Sequence, residues 1–243
     1  MPGSPPPLAP RGGAPEPYRS RVPGTLPLFP LGTVLVPGAP LPLHVFEERY
    51  RALVRDLLEI DEAEPREFGI ISIRSGRETG PGVPELYGVG TAAAVRRVTE
   101  HEDGRYDLIT VGARRFRLLG VETGARPYLV GTIEWLSRED VSVTPGLVEG
   151  VAAALTAYAQ TLEATGAAEV RLPALPTDPQ ALAWLVADAM LLPTAERQAL
   201  LEVPGTAERL REERRLLRRE LGLLTQVAAV PTPELARLPV SPN

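Results

Sequence analysis

The chain has 243 residues, 44% of them hydrophobic and 23% charged, an ordinary balance for a globular protein long enough for one large domain or two modest ones. Its net charge of −5 supplies no global positive field for nucleic acid or anionic lipid, and no apolar run approaches the ~18 residues of a spanning helix. Cysteine is absent, which removes disulfide and thiolate chemistry, and no secretory h-region opens the chain, so a cytoplasmic protein is expected.

All 26 basic residues are arginine. Without lysine there is no P-loop cation, no Ser-Lys base and no Schiff base, and arginine stays protonated and cannot act as a general base.

Residues 1–24 hold eight Pro, four Gly and one aromatic, Tyr18, and are expected to be a disordered tail. Strands are expected at Leu26–Phe29, Thr33–Val36 and Leu41–Phe46, broken by Pro30, Pro37-Gly38 and Pro40. Phe46, Tyr50, Leu53, Val54, Leu57 and Leu58 then recur at helical spacing, which places Phe46 and Tyr50 on the buried stripe of a helix opening at Glu47. Further strands are expected at Phe68–Ile73, Val89–Val98, Tyr106–Val111, Phe116–Val121 and Tyr128–Trp135, with Asp103-Gly104 as a hairpin turn.

After Trp135 the pattern becomes helical. Thr144-Pro145 and Asp178-Pro179 read as cap and first-turn proline for helices over Leu147–Leu162 and up to about Leu192, with a loop over 166–177 between them. Thr194 is expected to cap a short helix ending at Glu202, and Thr206 to start a last one running to about Leu224. That last helix carries six Arg and four Glu over 208–221 and should present a charged outer face, with Arg214, Arg218 and Arg219 lacking obvious partners on it. The fold class is therefore α+β: a small bent barrel over 25–136 with one embedded helix, a helical subdomain over 137–226, and a Pro-rich tail over 227–243.

No constellation points to catalysis. His44 and His101 are distant in sequence, His101 reads as part of a solvated turn, and no metal or cofactor site is expected. Ser72 and Ser75 lie outside any Gly-x-Ser-x-Gly pattern, and the glycine-containing loop at 76–82 lacks the strand-to-helix context of a phosphate cradle. No catalytic residue is assigned.

The stretch Leu26–Leu53 is the most informative. Phe29-Pro30-Leu31, Val34-Leu35, Pro37-Gly38, Leu41-Pro42-Leu43 and Phe46-Glu47-x-Arg49-Tyr50 resemble, in order and spacing, the opening of the Lon protease N-terminal, or substrate-binding, domain family. The likeness continues through Tyr87–Thr91, Asp103–Tyr106, Gly112-x-x-Arg115-Phe116-Arg117 and Tyr128, and then Leu182–Glu202, so that it covers about residues 25–224. It is strongest to short bacterial proteins carrying only that domain. The resemblance implies a PUA-like, partly open β-barrel followed by an α-helical bundle, and a non-catalytic role in holding protein substrates. The ATPase and peptidase parts of such proteases lie downstream of the resembling region.

An unfolded or partner polypeptide is therefore the expected ligand, with a separate ATPase or protease as an expected working partner, and neither nucleic acid nor membrane is expected. Contact is expected at the barrel edge, through Leu31, Val34, Pro37, Phe46 and Tyr50, or in a groove between barrel and helices. RNA binding stays open as an alternative by fold analogy, through Arg114, Arg115, Arg117, Arg214 and Arg218.

Overall fold

The computed structural model describes residues 23–61, 63–77, 84–137, 142–166 and 172–229. The tails at 1–22 and 230–243, residues 78–82 of the loop expected at 76–82, and residues 167–171 of the loop expected over 166–177 lie outside them.

Among the described residues seven strands form one mixed system: β1 (Gly24–Leu31), β2 (Pro40–Val45), β3 (Glu67–Ser75), β4 (Glu85–Leu86), β5 (Val89–Glu100), β6 (Tyr106–Glu122) and β7 (Leu129–Trp135). They follow the order β1-β7-β6-β5-β3-β4, with β2 paired to β6. β1 also runs parallel to β3, Leu28 opposite Gly69, while lying antiparallel to β7, Leu26 opposite Gly131. The path β1-β7-β6-β5-β3 thus returns to its first strand.

Each of those five strands sends a side chain into one small core of Leu26, Leu28, Ile71, Ala92, Phe116 and Ile133. Glycines opposite the largest members make room. A Cβ at Gly69 would stand 2.8 Å from both Leu28 and Phe116, and one at Gly131 would stand 2.9 Å from Leu28.

The expected strand at Thr33–Val36 is absent. Val34, Leu35 and Val36 are buried in irregular chain leading into the Pro37-Gly38 turn. Conversely, the two strands expected on either side of Gly112 are one 17-residue strand, β6. Its first half pairs with β2 and its second with β7, while β5 follows both halves through two register shifts.

The embedded helix, α1 (Glu48–Leu58), starts two residues after Phe46. Tyr50, Leu53, Val54 and Leu57 are buried as the stripe requires, and Tyr50 stacks on Phe29 with centroids 3.8 Å apart. Phe46 corrects the expectation: it precedes the helix, is 57% exposed, and lies against His44 instead. Opposite α1, the Tyr128 hydroxyl donates to Asp56; burial, then that carboxylate, pushes its pKa up to about 12.

Among the described residues four helices follow: α2 (Pro145–Ala164), α3 (Pro179–Ala189), α4 (Thr194–Glu202) and α5 (Thr206–Ala229). Asp178 caps α3 by accepting from the Ala181 amide at 2.8 Å. Thr194 is the first residue of α4 rather than its cap, and its hydroxyl donates to the Gly32 carbonyl at 3.0 Å. The larger core runs without a break from Phe29, Phe68 and Ala93 in the sheet to Leu155, Leu182 and Leu217 in the helices. Sheet and helices therefore share one interior, and α+β is the fold class observed.

The charged outer face expected for α5 is only part of its story. Arg209 and Glu213 are fully buried on its inner side beside Leu210, Leu216 and Leu217. Arg219 has partners after all, Glu196 on α4 at 2.9 Å and its neighbour Glu220. Among the described residues no helix is long and apolar enough to cross a membrane.

Candidate functional site

A cavity of about 770 Å³ opens between the sheet and α3. One wall is the turn Pro37–Pro40, the floor includes Ala113–Arg115 of β6, and the far wall is α3 with Gln180, Trp184, Leu185 and Asp188. Pro173 and Pro176 line the end that leads into α3.

The turn is fixed to β6 by backbone. Gly38 takes φ +83°, a conformation that glycine adopts without a Cβ penalty. Its N–H donates to the Gly112 carbonyl at 2.8 Å, and the Gly112 N–H donates to the Ala39 carbonyl at 2.9 Å. A Cβ at Gly112 would stand 2.1 Å from the Val36 carbonyl oxygen, so only glycine lets this segment approach β6.

Two arginines fix the far wall. The last carbonyls of a helix lack intrahelical donors. At the end of α4, Arg115 donates to the carbonyls of Leu201 and, at 2.9 Å, Val203. Arg209 donates to Leu200 at 3.0 Å and to the same Val203 carbonyl at 2.6 Å. Both guanidinium groups also lie over the Trp184 ring, Arg209 at 3.5 Å and Arg115 at 5.2 Å from its centroid. Arg114, Ser137, Asp178, Gln180 and Asp188 add polar groups to the lining. Burial raises the Asp188 carboxyl above its usual range, and Arg197 only partly opposes that.

Of the five contact residues expected at the barrel edge, Pro37 alone lines this cavity. Leu31 is half-buried near the start of the same segment. Val34 and Tyr50 are core residues, 5% and 4% exposed, so neither offers surface to a ligand. A groove lies between sheet and helices where one was expected, and its lining includes Trp184, a residue with no expected role there that is only 6% exposed. A tryptophan in an Ala- and Leu-rich helix reads as core, and only the packing of α3 reveals that one side of it meets the groove.

Three of the five arginines of the RNA alternative lie on β6 and are engaged by other groups. Arg114 lies over Trp135 at 4.0 Å and pairs with Glu67, and Arg117 pairs with Glu134 at 3.3 Å. Arg115 is 7% exposed and committed to α4. Arg214 sits against Gly150 of α2, while Arg218 is exposed on α5.

A second cluster lies at the opposite end of β2. Antiparallel pairing sets His44 directly across from Asp107, and the turn joining β5 to β6 brings His101 to the same carboxylate. His44 Nδ1 donates to Oδ1 and His101 Nε2 to Oδ2, each at 2.7 Å. The two histidines, distant in sequence, are thus neighbours, because strand register rather than sequence spacing sets their separation.

These bonds, from His44 and then His101, hold the Asp107 carboxyl below its usual range. Because the folded pKa is depressed, the stabilisation is present above the ordinary Asp value of about 3.9 and fades as pH falls through the folded value. A carbon-detected NMR titration should show the Asp107 midpoint rising in the His44→Ala variant. An unchanged midpoint would show that the bond does not form in solution.

Comparison with known proteins agrees with this architecture. Residues 25–219 match the family described as the ATP-dependent protease La (LON) substrate-binding domain. The chain is 32% identical over 209 residues to a Lon protease of Anaeromyxobacter dehalogenans, covering 84% of this chain and 24% of that one. It is 30% identical to Lon protease 2 of Myxococcus xanthus, with the same shares covered. The chain therefore spans about a quarter of the length of these relatives. Among solved structures, a Lon N-terminal domain protein from Xanthomonas campestris superposes with TM-score 0.57 at 27% identity, covering 78% of this chain and 96% of that one. The N-terminal domain of a Mycobacterium avium complex Lon protease gives TM-score 0.57 at 21% identity, covering 82% and 98%, a likeness of fold.

Proposed function

The chain belongs to the family of Lon protease substrate-binding domains, and from that premise we propose that it is a non-catalytic receptor holding an extended segment of an unfolded or partner polypeptide in the groove between sheet and α3. The observation that carries the reading is the groove itself. It has a volume of about 770 Å³, offers Leu185, Pro173 and Pro176 as apolar surface beside the edge of the otherwise buried Trp184, and keeps polar groups such as Gln180 and Asp178 at separate points. Such a surface accepts many sequences, because apolar burial is non-directional.

Affinity for one site should be modest. Burying ~400 Å² of apolar surface would contribute roughly 10 kcal/mol gross at about 25 cal/mol per Å². Association and ordering cost about 4–15 kcal/mol, which offsets much of that gain. A receptor of this strength suits hand-over in protein quality control in the cytoplasm, as an adaptor for a separate ATPase or protease. In this reading the returning five-strand path is a PUA-like barrel that serves as the rigid wall of the groove. The burial of Arg115 and the pairing of Arg114 with Glu67 and of Arg117 with Glu134 argue against the RNA reading, since phosphate contact needs accessible cations.

Ala181→Trp tests the site. Ala181 is exposed on α3 inside the groove, so a large side chain there fills the space without entering the core. Binding of a fluorescent unfolded polypeptide should weaken by about tenfold, which corresponds to ~1.4 kcal/mol, with the melting temperature unchanged and little salt dependence in the parent. Equal affinity in parent and variant would remove the groove from the function. Salt-sensitive capture of single-stranded RNA in place of polypeptide would remove the receptor reading.

A further inference from the structure

We propose that His44, His101 and Asp107 form a binding site for one divalent transition-metal ion of the zinc class. The chain contains only two histidines, and both are directed at the two oxygens of one carboxylate. Their donor atoms lie within 4.8 Å of one another. Zinc takes just these donor types, at about 2.0–2.2 Å, and tetrahedral coordination at those lengths needs donors ~3.3 Å apart. All three side chains are partly or largely exposed, so small ring rotations close the remaining difference.

The surroundings hold the donors in place. His101 N–H donates to the Arg105 carbonyl at 2.9 Å, Gly104 N–H donates to the His101 carbonyl at 2.8 Å, and Arg51 Nε donates to the Gly104 carbonyl at 2.6 Å. The turn bearing His101 is thereby tied both to itself and to α1. Gly104 adopts φ +76° to make it.

Proton movements are simple. A carboxylate can only accept, so each ring now carries its proton on the nitrogen facing Asp107. On metal binding that proton moves to the ring's other nitrogen, and the facing nitrogen gives its lone pair to the ion. Arg105 Nη1, 3.2 Å from His44 Nε2, must then turn aside, and Asp103 already holds its Nε at 2.6 Å. Three protein donors leave a fourth position for water. Two imidazoles favour zinc, cobalt or nickel over calcium or magnesium, which prefer all-oxygen sites. The proposal is independent of the polypeptide groove, which lies at the Pro40 end of β2.

The test is calorimetric titration of the full chain with zinc chloride, alongside the visible absorption of the cobalt(II) form. One equivalent should bind, with the strong visible bands of tetrahedral cobalt and a melting temperature that climbs with zinc concentration. Affinity should fall by about tenfold or more in each of His44→Ala, His101→Ala and Asp107→Asn. Excess magnesium should not compete. Because the substituted side chains are exposed, far-ultraviolet circular dichroism of each variant should match the parent and separate site loss from unfolding. No saturable zinc binding in the parent, or binding unchanged in the doubly substituted His44→Ala/His101→Ala chain, would overturn the proposal.

Discussion

Arg209→Met is expected to lower the free energy of unfolding by about 3–5 kcal/mol, the range seen when one member of a buried ionic network is removed. Arg209 is fully buried on α5, yet its guanidinium serves three partners at once. It donates to the carbonyls of Leu200 and Val203 at the end of α4 and lies 3.5 Å from the Trp184 centroid. Methionine fills similar volume but supplies no donor, so those carbonyls lose charge-assisted hydrogen bonds in a place water does not readily reach. Glu213, buried one turn further along α5, would have less positive charge nearby. Arg209→Lys should recover part of the loss, since a point charge lacks the planar fork that reaches two carbonyls and lies flat on a ring. Urea unfolding followed by tryptophan fluorescence measures the effect. A loss below about 1 kcal/mol would mean that the network contributes no more than an exposed ion pair.

Gly112→Ala should act on stability and on the groove together. The added Cβ would meet the Val36 carbonyl oxygen at 2.1 Å, and backbone on both sides is held by the Gly38 and Ala39 hydrogen bonds. Relief requires the Pro37–Pro40 turn to lift from β6, at a cost of about 2–3 kcal/mol for an overpacked site. Since that turn is one wall of the groove, polypeptide affinity should also fall by about tenfold at a temperature where the variant is still folded. Gly120→Ala is the control: it lies on the same strand with nothing within 4 Å of a Cβ, and should change neither quantity. If both substitutions behaved alike, the close approach at Gly112 would not be holding the wall in place.

Much of the fold was legible because its signals are local. The Asp178-Pro179 and Thr144-Pro145 pairs mark helix starts through the φ preference of proline, and both helices begin there, although only Asp178 caps its helix with a side-chain hydrogen bond and Thr144 does not. The stripe from Tyr50 to Leu57 lies on α1 for the same reason. Phe46 shared the spacing but not the helix, because periodicity cannot locate a helix start to within two residues.

What failed to show in the sequence depends on distant partners. Arg115 reads as one of three basic residues on a strand, and only the arrival of α4 beside β6 turns it into a cap for that helix. His44 and His101 looked unrelated until β2 paired with β6. Arg209 and Glu213 match a solvated helix face by spacing, and their burial is decided by tertiary packing. The groove is the extreme case, since its walls come from the segment before β2, from β6 and from α3.

The double pairing of β1 bears on how the chain acquires its structure. Gly24–Leu28 cannot complete its ladder until Leu129–Ile133 has been synthesised, although its other neighbour, β3, is available much earlier. Closing so long an intervening stretch is slow in entropic terms, and contacts of high sequence separation dominate folding times. A ribosome-bound intermediate would therefore display one unpaired edge of β1, with the alternate side chains of Leu26 and Leu28 uncovered, for as long as β7 remains unmade. That interval is when the protein would itself expose the kind of apolar segment that its groove is proposed to hold.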